Sequence, residues 1–171
     1  LNITASDGTR LHCTVEGRGH PVIFCDGLGC DGFVWRYLRP ILSKKYQVIH
    51  WHHRGHGRSD APADAHTYDI ATLRDDLLRV MDGLHIEKAA LMGHSMGVQV
   101  ILDVAVHAPH RVAALVPMCG TYGRPLDTFA GLFGLDRFLK YVHYAAKSWP
   151  RATQTIWKSI FRSSIVRWLG L

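Results

Sequence analysis

The sequence predicts an α/β protein, a mostly parallel sheet with helices on both faces. Three observations carry this expectation. Short apolar runs of strand length alternate with segments of helical spacing. An apolar hairpin signature opens the chain. The pentapeptide Gly93-His94-Ser95-Met96-Gly97, which fits G-x-S-x-G, falls where an apolar run gives way to a helical one.

The elements follow in order. Ile3-Thr4 and Leu11 to Val15 flank Ser6-Asp7-Gly8-Thr9, the pattern of an antiparallel hairpin. Pro21 precedes a buried strand, Val22 to Cys25, and a helix is expected from Trp35 to about Leu42. Gln47 to Trp51 reads as the next strand. Thr67 is placed to cap a helix whose apolar positions Ile70, Leu73, Leu77, Val80, Met81 and Leu84 keep helical spacing. Ala89 to Met92 is the strand before the pentapeptide, and Val98 to Ala105 the helix after it. Val112 to Val116 is a sixth strand; Pro117 lacks a ladder donor and is placed at its end. No internal repeat or low-complexity segment interrupts this order. Right-handed crossovers then put helices on both faces, and ligands bind such sheets at the carboxyl ends of the strands.

Composition narrows the class. The chain has 171 residues, 47% of them hydrophobic, enough for one substantial core. No run approaches the roughly 18 apolar residues of a membrane span. No leader segment is visible, but the first residue is Leu1 rather than Met, so that observation has no weight. Cys13, Cys25, Cys30 and Cys119 form no C-x-x-C pair; they read as free thiols of a reducing, cytoplasmic setting, with a Cys25–Cys30 disulfide as the alternative. Residues 1–135 hold 13 Lys/Arg and 13 Asp/Glu, whereas residues 136–171 hold seven Lys/Arg against Asp136 alone. The net charge of +6 therefore sits in the tail, and with no nucleic-acid-binding motif present no nucleic-acid partner is expected.

The pentapeptide is where chemistry concentrates. A serine on a tight strand-to-helix turn stands above the strand ends with a helix N-terminus aimed at it. Gly93 and Gly97 allow the backbone approach that such a turn needs. Ser95 alone is a weak nucleophile; it requires a base and a group to orient that base. His94 adjoins it, but the turn directs that side chain elsewhere. His50 and His52 alternate on one strand face, yet no Cys or carboxylate nearby completes a metal site, so loop packing is the preferred reading and no metal is assigned.

Three segments, Cys25-Asp26-Gly27-Leu28-Gly29, Arg54-Gly55-His56-Gly57-Arg58-Ser59 and the pentapeptide, resemble in order and spacing the α/β-hydrolase fold superfamily, over about residues 2–124. The resemblance implies that Ser95 is the nucleophile and that the backbone N–H groups of Leu28 and Met96 form the oxyanion hole. Gly27 and Gly29 then belong to a loop that approaches substrate. Asp26 stands where the family usually has His, and a carboxylate turned inward there would oppose a developing oxyanion. His52 stands where Asp is frequent. Arg54 to Ser59 are expected to build a structural turn with the Arg held inside, and His56, Arg58 and Asp60 to be ordinary loop residues. The family places its triad acid and His after a seventh and an eighth strand, neither of which is visible before Leu171; Asp127 is read as a cap residue. The expectation is thus residues 1–124 as the N-terminal part of the core, lacking the last two strands, and 125–171 as the start of a helical cap.

The resemblance implies a cofactor-independent serine hydrolase, carboxylesterase- or lipase-like, acting on a small ester or acyl substrate, with lactonase, C–C hydrolase and perhydrolase activities as open alternatives. Without its acid and His, the chain as written is expected to be inactive. The alternative is a non-catalytic hydrolase-like chain acting as a binding or scaffold protein. In residues 155–169, Ile156, Ile160, Phe161, Ser164, Ile165 and Trp168 share one helical face and Lys158 and Arg162 the opposite one. A basic amphipathic helix can lie on a membrane, but a cap helix over an apolar pocket is preferred. Ten of the 17 aromatic residues lie in 121–171, which favours an apolar substrate.

Overall fold

A computed structural model describes residues 1–122 of the chain. They fall in one compact unit, Leu1–Gly123. The expected cap over 125–171, with Asp127 and the amphipathic segment, lies outside the described residues.

Six strands form one sheet: β1 (Asn2–Thr4), β2 (Arg10–Glu16), β3 (Pro21–Cys25), β4 (Gln47–Trp51), β5 (Ala89–His94) and β6 (Val112–Met118). Their order is β1-β2-β4-β3-β5-β6. β1 pairs antiparallel with β2, and β2 with β4; the β4–β3, β3–β5 and β5–β6 pairs are parallel. The parallel strands end together at Cys25, Trp51, His94 and Met118, so the loops that follow them gather at one edge.

Strand periodicity sorts the core into two layers. Val22 and Phe24 face one side with Val48 and the Trp35 ring. Ile23, Cys25, Ile49, Trp51 and Leu91 face the other, against α2 (Ile70–Gly83) and α3 (Met96–His107). α2 contributes Leu73, Leu77, Val80 and Met81, at the spacing that puts them on one stripe. Helical segments thus cover both faces, as the alternation of elements requires.

Several boundaries move. The single helix expected over 35–42 divides into a 3₁₀ turn, Phe33–Trp35, and a short α1 (Arg39–Leu42). Pro40 cannot donate to a preceding turn, so the α-helix begins just ahead of it. Thr67 does not cap α2. It lies in a 3₁₀ turn, Ala65–Tyr68, while Asp69 caps the helix by accepting the Thr72 N–H at 2.7 Å. β6 runs through Pro117 to Met118 rather than stopping before it. It is an edge strand of the described sheet, where a missing donor is tolerated.

A buried ion-pair network ties the elements near the strand ends. Arg54 is 2% exposed and donates through Nε and Nη2 to Asp76 on α2, both at 2.7 Å. Its Nη1 reaches Asp7 in the β1–β2 turn at 2.7 Å. The paired carboxylates raise the Arg54 pKa, and hydrogen bonding from Arg54 holds Asp7 down at about 2. The loop after β4 is therefore anchored to the hairpin and to α2 at once.

Candidate active site

Ser95 is the junction between β5 and α3. Its backbone has φ 53° and ψ −115°, a left-handed conformation that a non-glycine residue adopts only when its surroundings enforce it. The enforcement is visible. The Ser95 N–H donates to the Met118 carbonyl at the end of β6, at 3.0 Å. A Cβ at Gly93 would lie 2.5 Å from the Gly97 carbonyl oxygen, and one at Gly97 would lie 2.1 Å from the Cys25 carbonyl oxygen. Both glycines are needed because backbone occupies the space that a side chain would fill. The serine itself is exposed.

The loop after β3 lies against this turn. A Cβ on Gly27 would come within 2.9 Å of Ser95 Cβ. Gly27 to Cys30 form a tight turn, closed by the Cys30 N–H on the Gly27 carbonyl at 3.2 Å, with Gly29 at φ 74° in the third position. The structure therefore brings together Ser95, Gly27, Gly93 and Gly97. Leu28 is the second residue of that turn, and Met96, next to the serine in the chain, is the first residue of α3. The first N–H groups of a helix have no intrahelical partner, so the Met96 N–H is not used by α3. The turn bond takes up neither the Leu28 nor the Gly29 N–H, and the latter goes to His56 Nε2 instead.

Asp26 resolves the concern raised by its charge. Its side chain is buried and points into the protein. Oδ1 accepts from Trp35 Nε1 at 2.6 Å and Oδ2 from His50 Nε2 at 2.8 Å. Burial pushes the carboxyl up, but the His50 and Trp35 hydrogen bonds outweigh it and hold Asp26 below the usual carboxylate range. The carboxylate is an internal anchor for the loop.

Of the histidines at the end of β4, His50 and His52 have hydrogen-bond partners, whereas His53 is held by packing. His50 bonds Asp26, and His52 Nδ1 accepts the Arg58 N–H at 2.7 Å. Burial, with His50 beside it, pushes His52 down. His53 is fully buried, stacked on Trp51 at 4.4 Å, and burial lowers its pKa to about 3. His56 was expected to be an ordinary loop residue. Instead its Nε2 accepts the Gly29 N–H at 3.0 Å, and its Nδ1 lies 3.0 Å from the Arg54 carbonyl oxygen. Asp60 pairs with Arg10 at 2.7 Å on the exposed surface, in keeping with an ordinary loop residue. None of the imidazole hydrogen bonds among the described residues ends on Ser95; His94 sits edge-on to Trp35, at 6.4 Å between ring centroids. All four cysteines are free, and burial pushes the Cys25 thiol up to about 12, which leaves it inert as a nucleophile.

Sequence reasoning missed His56 and the Trp35–Asp26–His50 anchor. The available signal was the pairing of an unusual Asp in the first loop with an imidazole-rich second loop.

Residues 20–171 match the family model described as alpha/beta hydrolase fold. A curated epoxide hydrolase of Caballeronia sordidicola is 38% identical over 112 residues, covering 65% of this chain and 34% of the relative. The enol-lactonase of Burkholderia xenovorans superposes with TM-score 0.63 at 30% identity, covering 67% of this chain and 45% of that one. The meta-cleavage product hydrolase CumD of Pseudomonas fluorescens gives TM-score 0.66 at 32% identity, covering 70% and 44%. The chain thus spans between about a third and a half of the length of these relatives.

Proposed function

The chain belongs to the alpha/beta hydrolase fold family, and from that premise we propose that it is a serine hydrolase cleaving ester-like acyl substrates through an acyl-enzyme on Ser95. The observation that carries this reading is the left-handed, exposed serine at the junction of β5 and α3, with the Gly27–Cys30 turn packed beside it. The Leu28 and Met96 N–H groups would receive the oxyanion. Two apolar side chains after β3 are exposed, Leu28 at 76% and Phe33 at 47%, which supports an apolar substrate. No cofactor enters this chemistry.

The nucleophile type selects among the relatives' reactions. A serine that attacks a carbonyl leaves an ester, which water hydrolyses to return the hydroxyl. A serine that opened an epoxide would be left as an ether, which water does not cleave under the same conditions. Ser95 therefore supports acyl transfer, as in lactone or ester hydrolysis, over epoxide opening. The base and its orienting acid are to be sought outside the described residues.

A fluorophosphonate should label Ser95 in the protein expressed from its full reading frame, and Ser95→Ala should abolish labelling. Turnover of an activated ester should fall on the order of 10⁴-fold or more, as when a triad member is removed. Labelling that persists in the alanine variant would overturn the assignment. The alternative reading is a hydrolase-like binding protein. An unlabelled parent protein would support it.

A further inference from the structure

We propose that His56 is a positioning residue that selects which backbone amide of the Gly27–Cys30 turn faces the oxyanion. The inference rests on the serine-hydrolase reading and names a part of that site. Two inner amides of the turn, those of Leu28 and Gly29, are left unused by its closing bond. Two neighbouring donors on one turn compete for the same place in front of a substrate. His56 removes one of them by accepting the Gly29 N–H at Nε2, 3.0 Å away. The Leu28 amide is then the one left for substrate.

The partners of the ring determine its protonation pattern. The Arg54 carbonyl, 3.0 Å from Nδ1, can only accept, so Nδ1 carries the hydrogen. The Gly29 N–H can only donate, so Nε2 is bare. Both constraints specify the same uncharged tautomer. The ring is held from below as well. The Arg54 carbonyl belongs to a residue locked between Asp76 and Asp7, and the His56 N–H donates to the His53 carbonyl at 3.0 Å. The His53 ring packs edge-on to His56, at 5.8 Å between centroids. At its other end the turn is fixed by Asp26 on Trp35 and His50. The base of the turn is thus anchored by a carboxylate and its tip by an imidazole, from two different loops.

The test compares His56→Gln with His56→Asn in the protein expressed from its full reading frame. Gln carries its amide far enough out to place an acceptor near the position of Nε2. Asn reaches only as far as Nδ1. The first reading is the rate of fluorophosphonate reaction at Ser95, because its phosphoryl oxygen occupies the oxyanion position. His56→Asn should slow the maximal rate about 10- to 100-fold, below the ~10²–10³ effect of deleting an oxyanion donor, with half-saturation unchanged. His56→Gln should recover most of it, and thermal midpoints should stay together. The second reading is the ¹⁵N spectrum of the His56 ring, which should show a protonated Nδ1 and an unprotonated Nε2. Equal rates in both variants and the parent, an equal fall in both variants, or a ring protonated at Nε2 would each overturn the proposal. If the parent is not labelled at Ser95, the serine-hydrolase reading fails, and with it the role assigned to the turn. Normal labelling with unaffected variants overturns the His56 role alone.

Discussion

His53 shows what an imidazole does when burial takes away its partners. It is fully enclosed, stacked on Trp51, and neither ring nitrogen has a hydrogen bond among the described residues. Its pKa falls from 6.5 to about 3 because burial disfavours the cation. In the unfolded chain the ring takes a proton below about pH 6.5, whereas the native state refuses it until about pH 3. Its contribution to stability is therefore complete above pH 6.5 and is lost as pH falls towards 3, at up to about 1.4 kcal/mol per pH unit. His53→Phe should flatten that dependence, so that urea midpoints of variant and parent diverge between pH 7 and 5 in favour of the variant. An unchanged difference across that range would refute it. Residues of this kind are only partly legible in a sequence. Ser95 is legible because glycines at fixed offsets demand a tight turn. Asp26 is legible as an oddity, but its direction is not, since Trp35 and His50 reach it across 9 and 24 positions. The role of His56 depends on a hydrogen bond to a glycine 27 residues away, which no local pattern encodes.

At the scale of elements, the strand-to-helix turn is a contact between backbones before it is a site. Gly97→Ala places a methyl 2.1 Å from the Cys25 carbonyl oxygen and 2.8 Å from that of Asp26. Neither atom is the end of a flexible side chain, so α3 or the Asp26–Cys30 loop must move. A loss of about 1–3 kcal/mol is expected, the usual range for overpacking, together with slower labelling of Ser95. Wild-type labelling in a variant of unchanged melting temperature would contradict this. The cap of α2 offers a paired test. Asp69→Ala should destabilise by about 1 kcal/mol, as loss of an N-cap does, while Thr67→Ala should act mainly on the short turn before the helix. Both are acceptable capping residue types within two positions. What decides between them is the extended backbone at Asp69, φ −82° and ψ 166°, which the sequence does not display. The helix expected over 35–42 failed for a similar reason: its apolar spacing is sound, but Pro40 sets where an α-helix can begin.

At the scale of the molecule, the fold class was readable because alternation of elements is a global signal that survives errors at every boundary. Burial within the sheet is uneven. β3 and β4 bury four of five positions each, whereas β6, with the apolar sequence Val112-Ala113-Ala114-Leu115-Val116, has no buried residue. Among the described residues its outer edge is unpaired, an arrangement prone to association. A fragment ending at Tyr122 should therefore sediment as oligomers, and a monodisperse monomer would argue against that edge being adhesive. The hydrogen bond from the Ser95 amide to the Met118 carbonyl has one more consequence, and it concerns time. Synthesis runs from the N-terminus, so Ser95 leaves the ribosome well before its partner does. Until residue 118 emerges and docks, nothing on the β6 side holds the serine in its strained posture. The left-handed turn at Ser95 thus gains its last backbone support from the end of a strand made later, and its geometry is complete only once β6 has paired.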